Sequence, residues 1–539
     1  MHRPAHPGRA GRVARSQGGQ TLAFALAFLL TGCVAVYVVF HAFQGTTAKI
    51  KLQNTADAAA YSAAVLQARD YNFAAYTNRA MVANQVTVAQ AVSLRSWIDD
   101  LDNTYTRDWS DLDALINQYA DHPEQWNSPK RAGKQQIRPV REAFDALMPT
   151  LVTGVDKIIH ALSLAQANYH AATFLAVPET ADLVARENQG DTHVTGGYFS
   201  SARNAAQLAE WQQYTITLDP QQGGIDVRDR FAEVTTDGKT LDGFIKDRTA
   251  PRSMPPGYQQ IDDSANRACG WSSTASRIVT HTSHKGGTQL RMNLKGWAAI
   301  DATTASSRIE CVYFGYPRNV SFDMTTGRGG AANGELLRVS GVDSYMVMPV
   351  PLPANWKGYG GYYNFSDHRS GVPGRNVLGG IADQFQAGPG KSLDAVHGGL
   401  QPYMEVRGSA GSRPGRDLPP NRAPRITIEV ERSAASLVKT PGLNGGGRMR
   451  VEDRSAGGVM RALASANAYF LRPDEPGLVG KAAGMLVTPA GWRRDDAKIE
   501  YPNLFSPYWQ ATLAPTSDAE RQAAIAAQAG GAQDDGKRR

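Results

Sequence analysis

The chain has 539 residues, of which 42% are hydrophobic and 20% are charged, so it is long enough for two or three domains with hydrophobic cores. Its formal net charge is +7, and four arginines before residue 20 supply more than half of that excess. The remaining sequence is close to neutral and has no stripe of Lys and Arg with interleaved aromatic residues, which argues against nucleic-acid binding.

An apolar segment, Thr21–Phe43, contains no Asp, Glu, Lys or Arg. About 20 such residues cross a hydrocarbon core of about 30 Å, whereas the apolar region of a secretory signal has only about 7 to 15. The sequence therefore favours a transmembrane helix that is kept in the mature protein, with Cys33 as a buried small residue. Two alternatives stay open: a cleaved signal peptide, and a lipoprotein acylated at Cys33, because Leu30–Cys33 resembles a lipobox.

The charges beside this segment predict its orientation. Residues 1–20 form a basic leader that has no acidic residue and contains Arg3, Arg9, Arg12 and Arg15. The positive-inside rule places such a leader in the cytoplasm. No later segment has the roughly 18 consecutive apolar residues that a second span needs. We therefore expect a single-pass inner-membrane protein whose bulk lies in the periplasm of a Gram-negative envelope.

A helical region is predicted for residues 44–188. Residues 46–122 contain neither Gly nor Pro, which a helix interior excludes most strongly, at about 1 and 3 kcal/mol relative to Ala. The membrane helix should therefore continue outward with little interruption. One face of this helix has the 4-3-4 spacing of a packed helix and consists of Met81, Gln85, Val88 and Val92.

A second helical zone is predicted from Lys134 to Arg186, as one helix or two. It contains Pro139, Pro149 and Pro178. Proline removes a backbone hydrogen bond and clashes with the preceding turn, so these three residues are expected to bound or kink the helices of this zone.

An antiparallel β-rich domain is predicted for residues 189–450. Gly and Pro recur there every few residues, and short β-branched or aromatic runs such as RITIEVERS lie between them. Residues 358–420 are rich in Gly, Pro, Ser and Arg and are predicted to be mainly loop. A C-terminal α/β segment at 451–516, with a helix in VMRALASANAYFLRPDEP, and a partly disordered tail at 517–539 complete the predicted α+β fold.

Two cysteines of the outer region, Cys269 and Cys311, are candidates for a disulfide. An oxidising compartment permits the bond, and closing this loop stabilises the fold by up to about 4 kcal/mol in the chain-entropy estimate. The alternative is two unpaired thiols.

No catalytic, cofactor-binding or metal-binding residue is predicted. His281 and His284 are two residues short of a ligand set, since no Cys or third His lies near them. The carboxylate pairs Asp99–Asp100 and Asp495–Asp496 are expected on the solvated surface. Six aromatic residues near the C-terminus are expected to pack in a core, with a partner-binding surface as the alternative: Tyr469, Phe470, Tyr501, Phe505, Tyr508 and Trp509.

One motif at the beginning of the chain resembles a known family. It begins with Gly19 and Gln20, continues through the apolar segment, and ends in a set that reads Leu52, Gln53, Asn54, Ala56, Asp57, Ala58, Ala59 and Ala60. Over residues 17–97 this pattern is similar to the N-terminal region of TadG-like proteins of the Flp (tight adherence) pilus-assembly system. ANAYFLRPD and EYPNLFSPYWQATL also look like the C-terminal segments of longer members.

The resemblance implies a non-catalytic structural or assembly component of a Flp-type pilus or a related secretion apparatus. It also implies three kinds of partner: the lipid bilayer, other assembly or secretion proteins, and a second copy bound through the N-terminal helix. Ala23 and Phe24 stand where prepilins cut by prepilin peptidase carry Glu, which argues against such processing. The Asp-x-Ser-x-Ser motif of the von Willebrand A domains in some members is missing.

Two questions stay open at this stage. The Ala-rich face of the long helix can pack against neighbouring molecules or against the protein's own outer domain. A membrane-anchored envelope enzyme or binding protein, with a pocket in residues 190–450, is the alternative function.

Overall fold

The structure is a computed structural model that describes residues 20–106, 124–222, 230–248, 250–253, 261–263, 273–290, 294–313, 316–333, 398–407, 421–434, 458–472 and 500–535. The helices in these ranges are α1 (Gln20–Thr106), α2 (Glu124–Asn188), α3 (Ala202–Tyr214), α4 (Arg230–Thr236), α5 (Gly243–Lys246) and α6 (Asp518–Asp535). The strands are β1 (Thr192–Val194), β2 (Thr215–Leu218), β3 (Ala250–Ser253), β4 (Ile261–Asp263), β5 (Ser273–Leu290), β6 (Trp297–Tyr313), β7 (Tyr316–Ala332), β8 (Tyr403–Val406), β9 (Ile426–Ser433), β10 (Val459–Phe470) and β11 (Trp509–Ala514).

Helix α1 organises the molecule. It runs for 87 residues without interruption, about 130 Å at about 1.5 Å per residue. The apolar segment and the helical zone that follows it are therefore one helix, as the absence of Gly and Pro after residue 45 predicts. Together with the antiparallel sheets described below, this confirms the predicted α+β class.

Helix α2 is a single helix of 65 residues, which is the one-helix alternative predicted for this zone, and the three prolines do not bound it. It passes through Pro139, Pro149 and Pro178 without ending. An interior proline costs about 3 kcal/mol, but α2 packs along α1, and residues of that contact face, including Val152 and Ile159, are fully buried. Tertiary packing offsets the local penalty.

The first sheet has the strand order β1-β9-β10-β11, and all neighbours are antiparallel. It lies on the Ala-rich face of α1, and small side chains meet at this contact. The buried alanines on the helix are Ala56, Ala59, Ala60, Ala63 and Ala64, and those on β10 are Ala462, Ala464, Ala466 and Ala468. The Ala-rich face of α1 is thus covered by the protein itself. We call the helices and sheets that follow α1 in the chain the outer domain.

Strand β10 corrects a prediction, because Val459–Phe470 was expected to be helical. The alanine content of this segment favours a helix locally. However, its alanines at every second position form one face of a strand, and β9 and β11 bond to its two edges. Alanine is required here because α1 approaches the sheet closely.

The second core lies farther along α1. Met81, Gln85, Val88 and Val92 are all buried there, which confirms the predicted face. They pack near the two-stranded sheet β2-β8 and the five-stranded sheet in which β3 and β4 both pair with β5, followed by β6 and β7. A Cβ on Gly329 of β7 would lie 1.9 Å from the carbonyl oxygen of Ser96, so only glycine permits this approach.

The C-terminal aromatic residues divide between core and surface. Phe470, Phe505, Tyr508 and Trp509 are buried, which confirms core packing for these four, whereas Tyr501 is exposed. Trp509 lies 4.7 Å from Tyr71 of α1, measured between ring centroids, in an edge arrangement.

Several predictions fall outside the described residues. They include Gly19, Cys269 and therefore the disulfide with Cys311, the pair Asp495–Asp496, and most of the loop-rich segment 358–420.

The helix–sheet contact makes a testable prediction about side-chain size. Leucine in place of Ala60, which is fully buried, should lower the free energy of unfolding by about 1–3 kcal/mol because it overfills a packed contact. The matched control is Ala83→Leu, at an exposed position of the same helix, which should change it by less than about 0.5 kcal/mol. Urea unfolding of the full chain in detergent micelles measures both, and equal losses would contradict the packing described.

Candidate functional site

Helix α1 changes its environment once along its length. From Thr21 to Phe43 its large apolar side chains are exposed, and Phe28 is 79% exposed. Among the described residues this is the one helix long and apolar enough to cross a membrane, and its most apolar window is not buried at all. Cys33 lies on this segment and is exposed too, so no part of the protein that the structure describes covers it.

The buried half of α1 begins at Ala48 and Leu52. Residues 52–60, the second part of the motif that resembles TadG-like proteins, therefore lie where the helix enters the outer domain. Leu52, Ala56, Ala59 and Ala60 are buried in the first core. The other members are less buried: Gln53, Asp57 and Ala58 are half-buried and Asn54 is exposed, while Gln20 is the first residue of α1.

Amide side chains of α1 bind the backbone of the outer domain. Gln53 Nε2 donates to Asp57 Oδ1 (2.9 Å) and to the carbonyl oxygen of Leu463 (3.1 Å). Gln67 accepts from the backbone N–H of Ala468 (2.9 Å) and donates to the carbonyl of Pro424 (3.3 Å).

Farther along the helix, three more amides make the same kind of contact. Asn72 accepts from the N–H of Trp509 at 3.1 Å and donates to its carbonyl at 2.9 Å. Asn78 donates to the carbonyls of Met404 (2.9 Å) and Leu504 (2.7 Å). Gln85 donates to the Gly399 carbonyl (2.7 Å) and accepts from Trp297 Nε1 (3.0 Å).

These five amides are called the amide row of α1: Gln53, Gln67, Asn72, Asn78 and Gln85. Each bond contributes about 1 kcal/mol net, and a buried backbone group left without a partner costs about 1–3 kcal/mol. The amide row therefore attaches β8, β10, β11 and their flanking segments to one helix. From the sequence, Gln85 was predicted as part of the buried face and Gln53 was noted as part of the motif at Leu52–Ala60, whereas Gln67, Asn72 and Asn78 were not identified.

A buried charged cluster joins the outer end of α1 to the second core. Arg248 donates through Nε and Nη2 to the two carboxylate oxygens of Asp301, at 2.7 and 2.8 Å. His284 lies between two carboxylates, with Nε2 3.1 Å from Asp301 Oδ1 and Nδ1 3.2 Å from Asp100 Oδ2. Thr303 donates from its backbone N–H to Asp100 Oδ1 (3.1 Å) and from its hydroxyl to Oδ2 (2.6 Å).

The position of Asp100 corrects the prediction that Asp99–Asp100 lies on the solvated surface. Asp100 is fully buried and Asp99 nearly so. Both lie on α1, and strands β5 and β6 cover Asp100 with His284 and Thr303. His284, one of the two histidines considered as metal ligands, is hydrogen-bonded to carboxylates.

The cluster balances its own charge. Burial alone would lower the pKa of His284, but its hydrogen bonds to Asp100 and Asp301 outweigh burial and raise the pKa to about 9. Burial opposes ionisation of Asp301 too, yet His284 and Arg248 hold the pKa of this carboxyl below its usual value. For Asp100, burial is the largest effect, and the pKa is raised despite the bond to His284.

Ion pairs also hold the two long helices together. Each helix contributes both acidic and basic partners, and the partners on α1 are largely buried. Those with partners on opposite helices are Arg95–Asp145, Arg141–Asp99 (3.4 Å), Arg141–Asp102 (3.5 Å) and His170–Asp70 (2.6 Å).

No family model, curated protein or solved structure matches the chain. The similarity of residues 17–97 to TadG-like proteins therefore stays a prediction. The features that bear on function are the two environments of α1 and the contacts that fix the outer domain to it.

The pKa of His284 makes a prediction about pH. A histidine that binds its proton more tightly in the folded state stabilises the fold fully below about pH 6.5, and this stabilisation is lost as the pH rises through the folded pKa. With a folded pKa of about 9, the free energy of unfolding should fall by about 3 kcal/mol between pH 6.5 and pH 9.5.

The matched comparison is His284→Gln, which removes the titrating group. Its free energy of unfolding should be lower than that of the wild type at pH 6.5 and should depend less on pH. Urea unfolding of both full chains in detergent, followed by tryptophan fluorescence, measures the difference. Parallel pH profiles would show that His284 is not held as a cation by Asp100 and Asp301.

Proposed function

We propose that this chain is a single-pass, membrane-anchored structural component, without catalytic activity, of a Flp/Tad-type pilus or a related secretion apparatus. The observation that carries the proposal concerns α1, which is one uninterrupted helix. Its first part is an exposed apolar segment, and the rest of it is packed inside the outer domain. The outer domain is then fixed to the bilayer without a linker.

The exposed segment of α1 supports the anchor. Fully burying a side chain such as Leu, Val or Phe is worth about 1.5–3 kcal/mol, and Thr21–Phe43 leaves many of them exposed. A bilayer removes this apolar surface from water, whereas the described part of the outer domain buries none of its most apolar window. The basic leader at residues 1–20 supports a cytoplasmic N-terminus, an inner-membrane location and a periplasmic outer domain.

The contacts of α1 support a structural role. The amide row binds backbone groups of the protein itself, and Arg248, His284, Asp100 and Asp301 are bonded to one another and to neighbouring residues of the core such as Thr303. A catalytic acid or base must reach a substrate proton, while these groups lie within the core. Their arrangement suits a rigid connection between membrane and outer domain.

Membrane anchoring is tested by charges placed in the segment. Leu29→Arg and Val36→Arg in one variant should release the protein from the membrane fraction, because each arginine costs about 2.5–3.5 kcal/mol near the bilayer centre. Thr46→Arg, just beyond the segment, is the control and should remain membrane-bound. Sedimentation after alkaline carbonate extraction measures both.

Intact-mass measurement of the same native protein separates the alternatives for the N-terminus. An unprocessed leader supports the anchor, an acylated Cys33 supports a lipoprotein, and a soluble protein without its first forty-odd residues would overturn the proposal.

The assignment to a pilus or secretion apparatus is tested in the source organism. Deletion of the gene should abolish surface pili while the pilin subunit is still synthesised. The wild-type gene should restore them, and the Leu29→Arg/Val36→Arg variant should not. Electron microscopy of cells and immunoblots of the pilin measure the outcome, and normal piliation in the deletion strain would contradict the assignment.

A further inference from the structure

Strand β10 runs alongside α1, and its beginning is the part nearest the apolar segment. Gln53 of α1 bonds to the carbonyl of Leu463, and Gln67 bonds to the N–H of Ala468, so helix and strand advance in the same direction. Between these two bonds the strand covers about 16 Å and the helix about 21 Å. The two are therefore nearly parallel, and a position on the strand has a corresponding level on the helix.

The first residue of β10 lies at the level where the apolar segment ends. Val459 precedes Leu463 by four residues, about 13 Å of strand, which equals about nine residues of helix. Counted back from Gln53, this level is that of Gln44. Packing agrees with the estimate, because Met460 contacts the first core and Gln44 is half-buried.

Strand β9 reaches the same level as β10. Ser433 pairs with Val459 in the sheet, and the N–H of Ala434 donates to the carbonyl of Gly458 at 2.8 Å. Ser433 and Gly458 are exposed, and Val459, on the face of β10 that points away from α1, is 56% exposed. We call these four residues the β9–β10 end.

The dimensions of a bilayer place this end relative to lipid. Thr21–Phe43 is about 34 Å long, which spans a hydrocarbon core of about 30 Å with a slight tilt, so the hydrocarbon ends near Phe43. The headgroup layer adds about 5–8 Å on each side. The β9–β10 end, at the level of Gln44, then lies within the outer headgroup layer. This step rests on the anchor given under the proposed function.

The charges of α1 at this level suit lipid phosphates. Lys49 and Lys51 are exposed and lie about 9 and 12 Å beyond Phe43 along the helix. Side chains on a helix incline toward its N-terminus, and lysine extends its ammonium group along an apolar stem. Both ammonium groups can therefore reach back to the headgroups, and residues 44–56 contain no Asp or Glu that would repel them.

Two carboxylates beside the β9–β10 end are held by arginines. Asp191 accepts from Arg432 Nε at 2.6 Å, and Glu431 accepts from Arg461 Nε at 2.9 Å. These acidic groups are balanced within the protein, so they do not oppose contact with a layer of phosphates.

We propose that the β9–β10 end, together with Lys49 and Lys51, binds the outer headgroup layer of the bilayer that holds α1, with the two ammonium groups on lipid phosphates. The outer domain then contacts the membrane beside the helix as well as through it. A second contact away from the helix axis restrains the tilt of α1 and fixes the side on which the sheet faces the lipid.

Photocross-linking of the full chain in nanodiscs of phosphatidylethanolamine and phosphatidylglycerol tests the geometry. p-Benzoylphenylalanine in place of Val459 should cross-link to lipid, detected by intact mass. The matched control is the same probe at Leu513, a 48% exposed residue of the same sheet. Leu513 pairs with Ala466, about 23 Å farther from the bilayer along β10, and should give no lipid adduct. Ser433 provides a second test position if the probe at Val459 impairs folding.

The role of the lysines is tested with the probe kept at Val459. Lys49→Gln and Lys51→Gln in one variant should lower the yield of the lipid adduct by about threefold or more, because each lysine near an anionic surface favours binding. Lys157→Gln, at an exposed position of α2, is the control and should leave the yield unchanged. An equal yield in both variants would show that the lysines do not hold the sheet against the headgroups.

Three other results would overturn the inference. Lipid adducts at neither Val459 nor Ser433, in protein that remains in the discs, would refute the contact while the anchor stands. Equal adducts at Val459 and Leu513 would mean that the whole sheet lies on the bilayer. A probe at Val459 that cross-links only to protein would mean that another segment covers the β9–β10 end. Failure of the chain to enter the discs would refute the anchor itself, so the two failures are distinguishable.

Discussion

The contact between the Ala-rich face of α1 and strand β10 is the constraint on which the rest of the fold depends. A helix can lie this close to a sheet only where both surfaces carry small side chains, and here Ala60 and Ala466 are completely buried. Close approach has a second consequence, because polar backbone groups beside the helix lose access to water. A helix has no spare backbone donors or acceptors along its middle, so its side chains must supply them, and this explains why the amide row occurs among the buried alanines and other apolar residues of α1.

The same helix has residues of low helix propensity between its apolar segment and its buried half. Gly45 lies after the apolar segment and before Ala48, and no atom lies within 4 Å of a Cβ placed on it. Glycine costs about 1 kcal/mol relative to alanine in a helix, and the hydroxyl of Thr46 bonds back to the carbonyl of Ala42 at 2.8 Å, a contact that often bends helices.

Local signals in the sequence were sufficient for α1 and insufficient for features that depend on distant partners. The apolar run, the missing Gly and Pro and the spacing of Met81 to Val92 are all properties of neighbouring residues, and they predicted the helix and its buried face. The alanines of β10 favour a helix until β9 and β11 are known to flank them. Asp100 looks solvated because His284 and Thr303, which cover it, are almost two hundred residues away in the chain. In α2, packing against α1 overrides prolines that would end an isolated helix.

The buried polar groups are best understood as devices that fix the position of α1. A charged cluster such as that of Arg248, His284, Asp100 and Asp301 is expensive to desolvate, and apolar residues of the same volume often give equal or greater stability. A contact of alanine on alanine, however, is nearly uniform along the helix, so a shift by one turn would preserve most of it. The same shift would move Gln53 from Leu463, Asn78 from Met404 and Asp100 from His284, leaving buried groups unpaired at several sites at once. The alanines therefore bring helix and sheet together, and the polar groups set the axial and rotational register in which the outer domain is held on α1.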